Sequence, residues 1–191
     1  MTPESEESKK LQFDLWKSVQ GGNHQAFRIF YMKFTDVLYN YGKRICHNEE
    51  IIKDSIQDVF QGIWEKKENI QINSSIKQYL MTAFRHDLIY KIKKEQKSGT
   101  ELQSSNFELS VESTIIDSED RMSKNVQLND ALLKLTNRQK EIVFLKYYEN
   151  LSYDEISSIM DLNKNSLYKL LSGAIQRLKD YMIVLLLTFL Y

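Results

Sequence analysis

The chain has 191 residues, 42% hydrophobic and 27% charged, a composition suited to one globular domain or two small ones. Its 26 basic and 26 acidic side chains cancel, which excludes a basic nucleic-acid surface spread over the whole molecule and leaves only local patches. One cysteine, Cys46, excludes an internal disulfide and any cysteine-built zinc site.

A single proline, six glycines and the lack of any period-2 run bounded by turn residues predict an all-α protein. The first helix is expected over about residues 8–20, ended by Gly21-Gly22. From His24 to about Cys46, Phe27, Phe30, Tyr31, Phe34, Leu38, Tyr41 and Ile45 recur on one apolar face. Ile52, Ile56, Val59, Phe60 and Ile63 do the same from about Glu49 to Lys67. A fourth helix is expected from about Ser75 to Lys97. Aromatic residues at helical spacing are read as core, and Cys46 as a core thiol in a reducing cytoplasm. The polar, acidic N-terminal stretch predicts no signal peptide.

Residues 98–124 hold two basic against six acidic side chains and no sustained apolar period, so they are expected to form an acidic, flexible linker. Beyond it, Val126 to Leu135 reads as a helix. Thr136 with Gln139 forms a capping box opening the next one, which is expected to run to about Glu149 and bury Ile142, Val143 and Leu145. Ser152 with Glu155 caps a short helix whose apolar side is Ile156, Ile159 and Met160. Asp161-Leu162 makes a tight turn, Asp161 standing where left-handed backbone is needed. Asn163 caps the last helix, with Leu167, Leu171, Ala174 and Leu178 facing inward. Asn165, Ser166, Lys169, Ser172, Gly173 and Gln176 are left outside. Two helices and a turn at this spacing suit a DNA-reading helix-turn-helix. The expected organisation is two small helical domains, 8–97 and 125–181, with linker 98–124 and an apolar tail 182–191. At ten residues that tail is well short of the ~20 a membrane span needs.

Chemistry has little to work with. His24, His47 and His86 lack metal-ligand spacing, and there is no HExxH pattern, phosphate-cradling glycine loop or GxSxG elbow. The expectation is no catalytic residue, no metal, no cofactor and no small-molecule substrate; the chain is not read as an enzyme. Two helix faces stand out instead. Opposite the apolar stripe of the third helix, Asp54, Gln57, Asp58, Gln61 and Glu65 form an acidic, amide-rich face bordered by Trp64, suited to a basic protein partner. On the fourth helix, Ile76, Leu80, Phe84, Leu88 and Ile92 gather on one side. Tyr79, His86, Tyr90, Lys93 and Lys97 gather on the other, with Lys94 at the border. Cations interleaved with rings suit unpaired nucleic acid, the cations holding phosphates and the rings stacking on bases.

Together these stretches resemble the extracytoplasmic-function group of the sigma-70 family, the promoter-specificity subunits of bacterial RNA polymerase. Gly22-Asn-His-Gln-Ala-Phe27 resembles the family's Gly-Asp-x-x-Ala-Phe opening of region 2. Asp54-Ser-Ile-Gln-Asp-Val-Phe-Gln-Gly-Ile-Trp64 resembles its Asp-x-x-Gln-x-x-Phe-x-x-x-Trp core-binding signature. Leu135 to Tyr147 and Leu151-Ser-Tyr-Asp-Glu-Ile156 resemble the start of region 4. The resemblance implies an alternative sigma factor that directs promoter recognition and transcription initiation. It implies that Asp54, Gln57, Asp58, Gln61 and Trp64 meet the clamp coiled coil in the largest subunit of core RNA polymerase. Tyr79, Arg85, His86, Tyr90, Lys93, Lys94 and Lys97 are then expected at the −10 element of promoter DNA. Lys164, Asn165, Ser166, Tyr168, Lys169, Ser172 and Arg177 are expected at the −35 element. An anti-sigma factor is a further partner the family implies. The alternative is a helix-turn-helix regulator with an N-terminal helical interaction domain, which would not need the Asp54–Trp64 signature.

Two stretches depart from the family pattern. Its Arg-Asn-x-x-x-Asp-x-x-Arg-Arg run stands here as Arg85-His86-Asp-Leu-Ile-Tyr90-Lys-Ile-Lys93-Lys94. Its recognition-helix Lys-x-Arg and later Arg stand here as Tyr168, Leu170 and Gly173. Fewer phosphate contacts are then available, which predicts weak DNA affinity from the second half alone.

Overall fold

A computed structural model describes residues 6–72, 75–97, 107–109 and 128–188, with side chains from Lys10 to Tyr181. Among the described residues all regular structure is helical. The chain divides into two compact units, Met1–Asn106 with Ser158–Asp161, and Phe107–Ser157 with Leu162–Tyr191.

The first unit contains α1 (Glu6–Gln20), α2 (His24–Ile45), α3 (Glu49–Lys66) and α4 (Ile76–Lys97). Each start has a local cause. Gly22, at φ 82, turns the chain after α1, and Asn23 Oδ1 then accepts from the N–H groups of Gln25 and Ala26 at 2.9 and 3.1 Å. Asn48 caps α3 the same way, accepting from Glu50 N and Ile51 N. Ser75 Oγ accepts from Gln78 N at the start of α4. At the far end of α1, Gln20 Nε2 donates to the carbonyls of Lys67 and Ile70, tying that helix to the 3-10 turn Lys67–Asn69 that closes α3.

The apolar faces read from the sequence meet in one core. Phe30, Phe34, Leu38 and Tyr41 of α2, Ile52, Ile56 and Phe60 of α3, and Leu80, Phe84 and Leu88 of α4 are all buried. Trp16 of α1 joins them through Phe30, with ring centroids 5.6 Å apart. Phe27 is half-buried and Tyr31 exposed, each with its ring against Phe60. Cys46 is buried, and burial pushes its thiol pKa up.

The second unit carries α5, described from 128 to 133, α6 (Asn137–Val143), the greater part of α7 (Tyr153–Met160) and α8 (Lys164–Thr188). Both expected capping boxes form: Thr136 with Gln139, and Ser152 with Glu155. Asp161 takes φ 50, and Leu162 N donates to Ser157 O across the helix end, so the turn is a Schellman closure with aspartate in glycine's usual place. Asn163 Oδ1 accepts from Ser166 N at 2.8 Å and starts α8.

Two features differ from expectation. The helix opened by Thr136 does not stay α-helical to Glu149. It loosens into a π turn over Phe144–Tyr148, with Glu149 N reaching back five residues to Phe144 O, and Asn150 at φ 54 turns the chain toward α7. Ile142, Val143 and Leu145 are buried as expected. Within the expected linker, Phe107 and Leu109 are buried, Phe107 with its ring 5.9 Å from Phe144. Phe107 and Leu109, in a stretch whose apolar residues follow no sustained period, gain more from that core than from water. Apart from 107–109, residues 98–124 lie outside the described residues, as do the tail side chains from Met182; the backbone of α8 continues through Thr188. No helix among the described residues is long and apolar enough to cross a membrane.

α2 comes close to α3 and α4 at Gly42, where an added methyl would stand 2.8 Å from both Ile52 Cγ2 and Phe84 Cζ. Phe84 is completely buried, so it has nowhere to retreat. Gly42→Ala is expected to destabilise the protein by about 1–3 kcal/mol through overpacking, read as a lower urea midpoint at unchanged slope.

Candidate functional site

On α3 the five residues expected to meet polymerase share one side of the helix but differ in their freedom. Asp54, Gln57, Asp58 and Gln61 are exposed, whereas Trp64 is half-buried. The Trp64 ring lies 4.7 Å from His24 and 4.8 Å from Phe27, with the Lys67 ammonium 4.2 Å from its centroid. That makes Trp64 a hinge pin between α2 and α3 as well as a border of the acidic face. Gln61 donates to Glu65 at 2.9 Å. Asp58 is already engaged: Lys91 of α4 donates to it at 2.6 Å and pairs with Asp87 at 3.1 Å.

The opposite faces of α4 separate as the 100° spacing predicts. Ile76, Leu80, Met81, Phe84, Leu88 and Ile92 are buried. His86, Tyr90, Lys93, Lys94 and Lys97 are exposed, with Tyr90 65% accessible. Tyr79 and Arg85 are half-buried, and burial raises the phenol pKa of Tyr79. Unlike Tyr90, Tyr79 therefore offers only part of its ring.

In the helix-turn-helix, Leu167, Leu171 and Ala174 are buried and Leu178 half-buried, while Asn165, Tyr168, Lys169 and Ser172 are exposed and Ser166 half-buried. Two of its cations have partners in the chain. Lys164 Nζ lies 2.7 Å from Asp154 Oδ1, and the hydrogen bond to that carboxylate raises the lysine pKa. Arg177 Nη1 donates to Gln139 Oε1 at 3.0 Å, the same oxygen that accepts from Thr136 N in the capping box. Arg177 thus ties α8 to the start of α6. Gly173 sits beneath the same side chain: a Cβ there would lie 3.3 Å from Gln139 Nε2.

The family models of sigma-70 region 2 and sigma-70 region 4 match residues 30–98 and 125–178 respectively. The chain belongs to the sigma-70 family. The RNA polymerase sigma factor YlaC of Bacillus subtilis is 28% identical over 155 residues, covering 80% of this chain and 89% of YlaC. The ECF RNA polymerase sigma factor SigK of Mycobacterium ulcerans is 20% identical over 171 residues, covering 87% and 90%. In fold, the sigma factor RpoE solved with the anti-sigma factor NepR from Bartonella quintana matches at TM-score 0.59 and 20% identity, covering 83% of this chain and 97% of RpoE. CnrH, solved with the cytosolic domain of CnrY, matches at 0.58 and 14%, covering 89% and 96%. The chain is an alternative sigma factor of the extracytoplasmic-function group, a specificity subunit for promoter recognition rather than an enzyme.

In this sigma factor, the groups sequence reasoning missed are those that join elements. Lys91, Asp87, Gln139, Lys146 and Tyr153 all contact a residue of the candidate faces or stand one contact away. Only the Asp87–Lys91 pair, at i,i+4, was legible from spacing. Burial pushes the Lys91 ammonium pKa down, but its hydrogen bonds to Asp58 and Asp87 outweigh this and raise it. A raised lysine pKa adds stability below the ordinary value of 10.5, and that stability is lost as pH rises through the folded value. Lys91→Met is therefore expected to cost about 1 kcal/mol at neutral pH. Urea titrations should show the gap between wild type and variant closing above pH 10.5.

Proposed function

We propose that the two units divide the promoter between them, residues 8–97 engaging core polymerase and the −10 element and residues 125–181 the −35 element. The observation that carries this reading is the outer face of α4. Tyr90 is 65% exposed, with His86, Lys93, Lys94 and Lys97 on neighbouring turns, while the other side of the same helix is wholly buried. A rigid helix that offers rings and cations together can hold a melted strand by phosphate contacts and base stacking. The acidic face of α3 meets a basic surface of the clamp coiled coil, with Asp54, Gln57 and Gln61 outermost. Asp58 contributes after exchanging its Lys91 partner. Asn165, Tyr168, Lys169 and Ser172 face the −35 major groove, and Lys164 reaches a phosphate once Asp154 releases it. The cytoplasm is the compartment this function requires. Regulation by an anti-sigma factor, the partner with which RpoE of Bartonella quintana was solved, completes the proposal.

Two substitutions separate the faces. Asp54→Arg inverts an exposed charge without disturbing the Asp58–Lys91 pair. If that position is desolvated at the interface, the variant is expected to weaken core polymerase binding by about 2–5 kcal/mol. Unchanged co-purification with core, in a variant folded by circular dichroism, removes α3 from the contact.

Replacing Tyr90 and Lys93 together with Ala is expected to leave core binding intact and reduce strand opening. The lost stacking contact alone is worth about 1–3 kcal/mol. Permanganate reactivity of the −10 thymines at matched promoter occupancy measures it, and normal opening removes this face from the melted strand.

A further inference from the structure

We propose that Tyr168 is the specificity-determining residue of α8, reading the 5-methyl group of a thymine in the −35 element through its ring. The inference rests on α8 lying in the −35 major groove, and it names what the helix recognises there. Arginine, the commonest reader of guanine, is out of play: α8 carries one, Arg177, and it is hydrogen-bonded to Gln139 at 3.0 Å. Lys164, at the start of the helix, is paired with Asp154 at 2.7 Å and on release serves a phosphate rather than a base. In the family pattern two further basic positions stand as Leu170 and Gly173 here. The largest group exposed on the first two turns is the Tyr168 ring, 49% accessible.

That ring already packs against a neighbour in the free protein. Its centroid lies 5.1 Å from that of Tyr153, tilted by 58°. Tyr153 is itself fixed by the Lys146 ammonium, 4.5 Å from its centroid, and Lys146 donates to Leu151 O at 3.1 Å. A side chain that already packs against a neighbour has less rotamer entropy left to lose on binding, which favours an apolar contact by Tyr168. The methyl of thymine is the apolar group a base pair presents in the major groove, and an aromatic ring is a fitting partner for it. Exposed Asn165, one turn away, has the amide geometry that pairs with adenine N6 and N7. The two together favour A·T pairs, where an arginine fork would favour G.

The test uses holoenzyme formed from core polymerase and the full chain. A −35 sequence is first selected from a randomised pool by the wild-type holoenzyme. Each thymine of the selected element, on either strand, is then replaced by deoxyuridine, which removes only the methyl. At one position occupancy is expected to fall about fourfold, the worth of burying one methyl group. Tyr168→Phe, which keeps the ring, is expected to keep that difference. Tyr168→Ala is expected to bind thymine and uracil promoters equally. A selected element without an A·T pair, thymine and uracil bound alike by wild type, or discrimination persisting in Tyr168→Ala each overturns the role of Tyr168. If selection from the pool yields no −35 preference at all, the reading of α8 as the −35 reader falls with it.

Discussion

The outward faces of the first unit depend on the close approach of α2 to α3 and α4 at Gly42. The two faces proposed to work outward, acidic on α3 and basic-aromatic on α4, sit on adjacent helices whose inner sides share one core. Ile52 and Phe84 can both pack this closely against α2 only because Gly42 carries no side chain. This crossing fixes the rotation of both helices, so it also fixes which residues face outward. Polar residues gain little by packing. Their positions are set by the apolar residues behind them, and a small change in the crossing would turn Tyr90 or Asp54 away from a partner.

Charge is the second constraint. A chain with no net charge must bind a polyanion, and its cations are partly committed inside the fold. Lys91 joins α3 to α4, Arg177 joins α8 to α6, and Lys67 and Lys146 lie over Trp64 and Tyr153. Each of these contacts ties side chains together within the fold, and that of Arg177 engages a cation expected at the −35 element. Affinity for duplex DNA from the second unit alone is expected to be small, because the electrostatic part scales with the number of phosphates neutralised. Linking both units to the same polymerase is expected to compensate, since the second contact becomes intramolecular. Weak non-specific attraction also leaves base contacts a larger share of the discrimination between promoters.

Helix starts and apolar faces were legible in the sequence because both are local. Thr136 with Gln139, Ser152 with Glu155, and Asn163 each satisfy N–H groups two or three residues away, and spacing alone finds them; Asn23 and Asn48 act as locally, but their caps were found only in the structure. The buried stripe of α4 follows from 100° steps, and the positive φ of Asp161 follows from where two periodic segments must be interrupted. The residue patterns of the two regions carried the family for the same reason.

What spacing could not supply are contacts whose partners are brought together only by helix crossing. Asp58 and Lys91 lie 33 positions apart, and Gln139 and Arg177 lie 38 apart. Nothing in either local stretch says that an acidic residue on one face, or a cation near the end of a helix, is already paired. Phe107 looked like part of a polar linker because a single aromatic has no period, and its place beside Phe144 exists only once α6 is folded. The π turn at Phe144–Tyr148 is similar: its sequence is good helix, and the loosened hydrogen bonding is tied to the chain reversal at Asn150 that leads into α7. Local chemistry thus set the elements and the family, while the assembled fold decided which charges remain available to a partner, because pairing depends on distances that arise only when the helices pack.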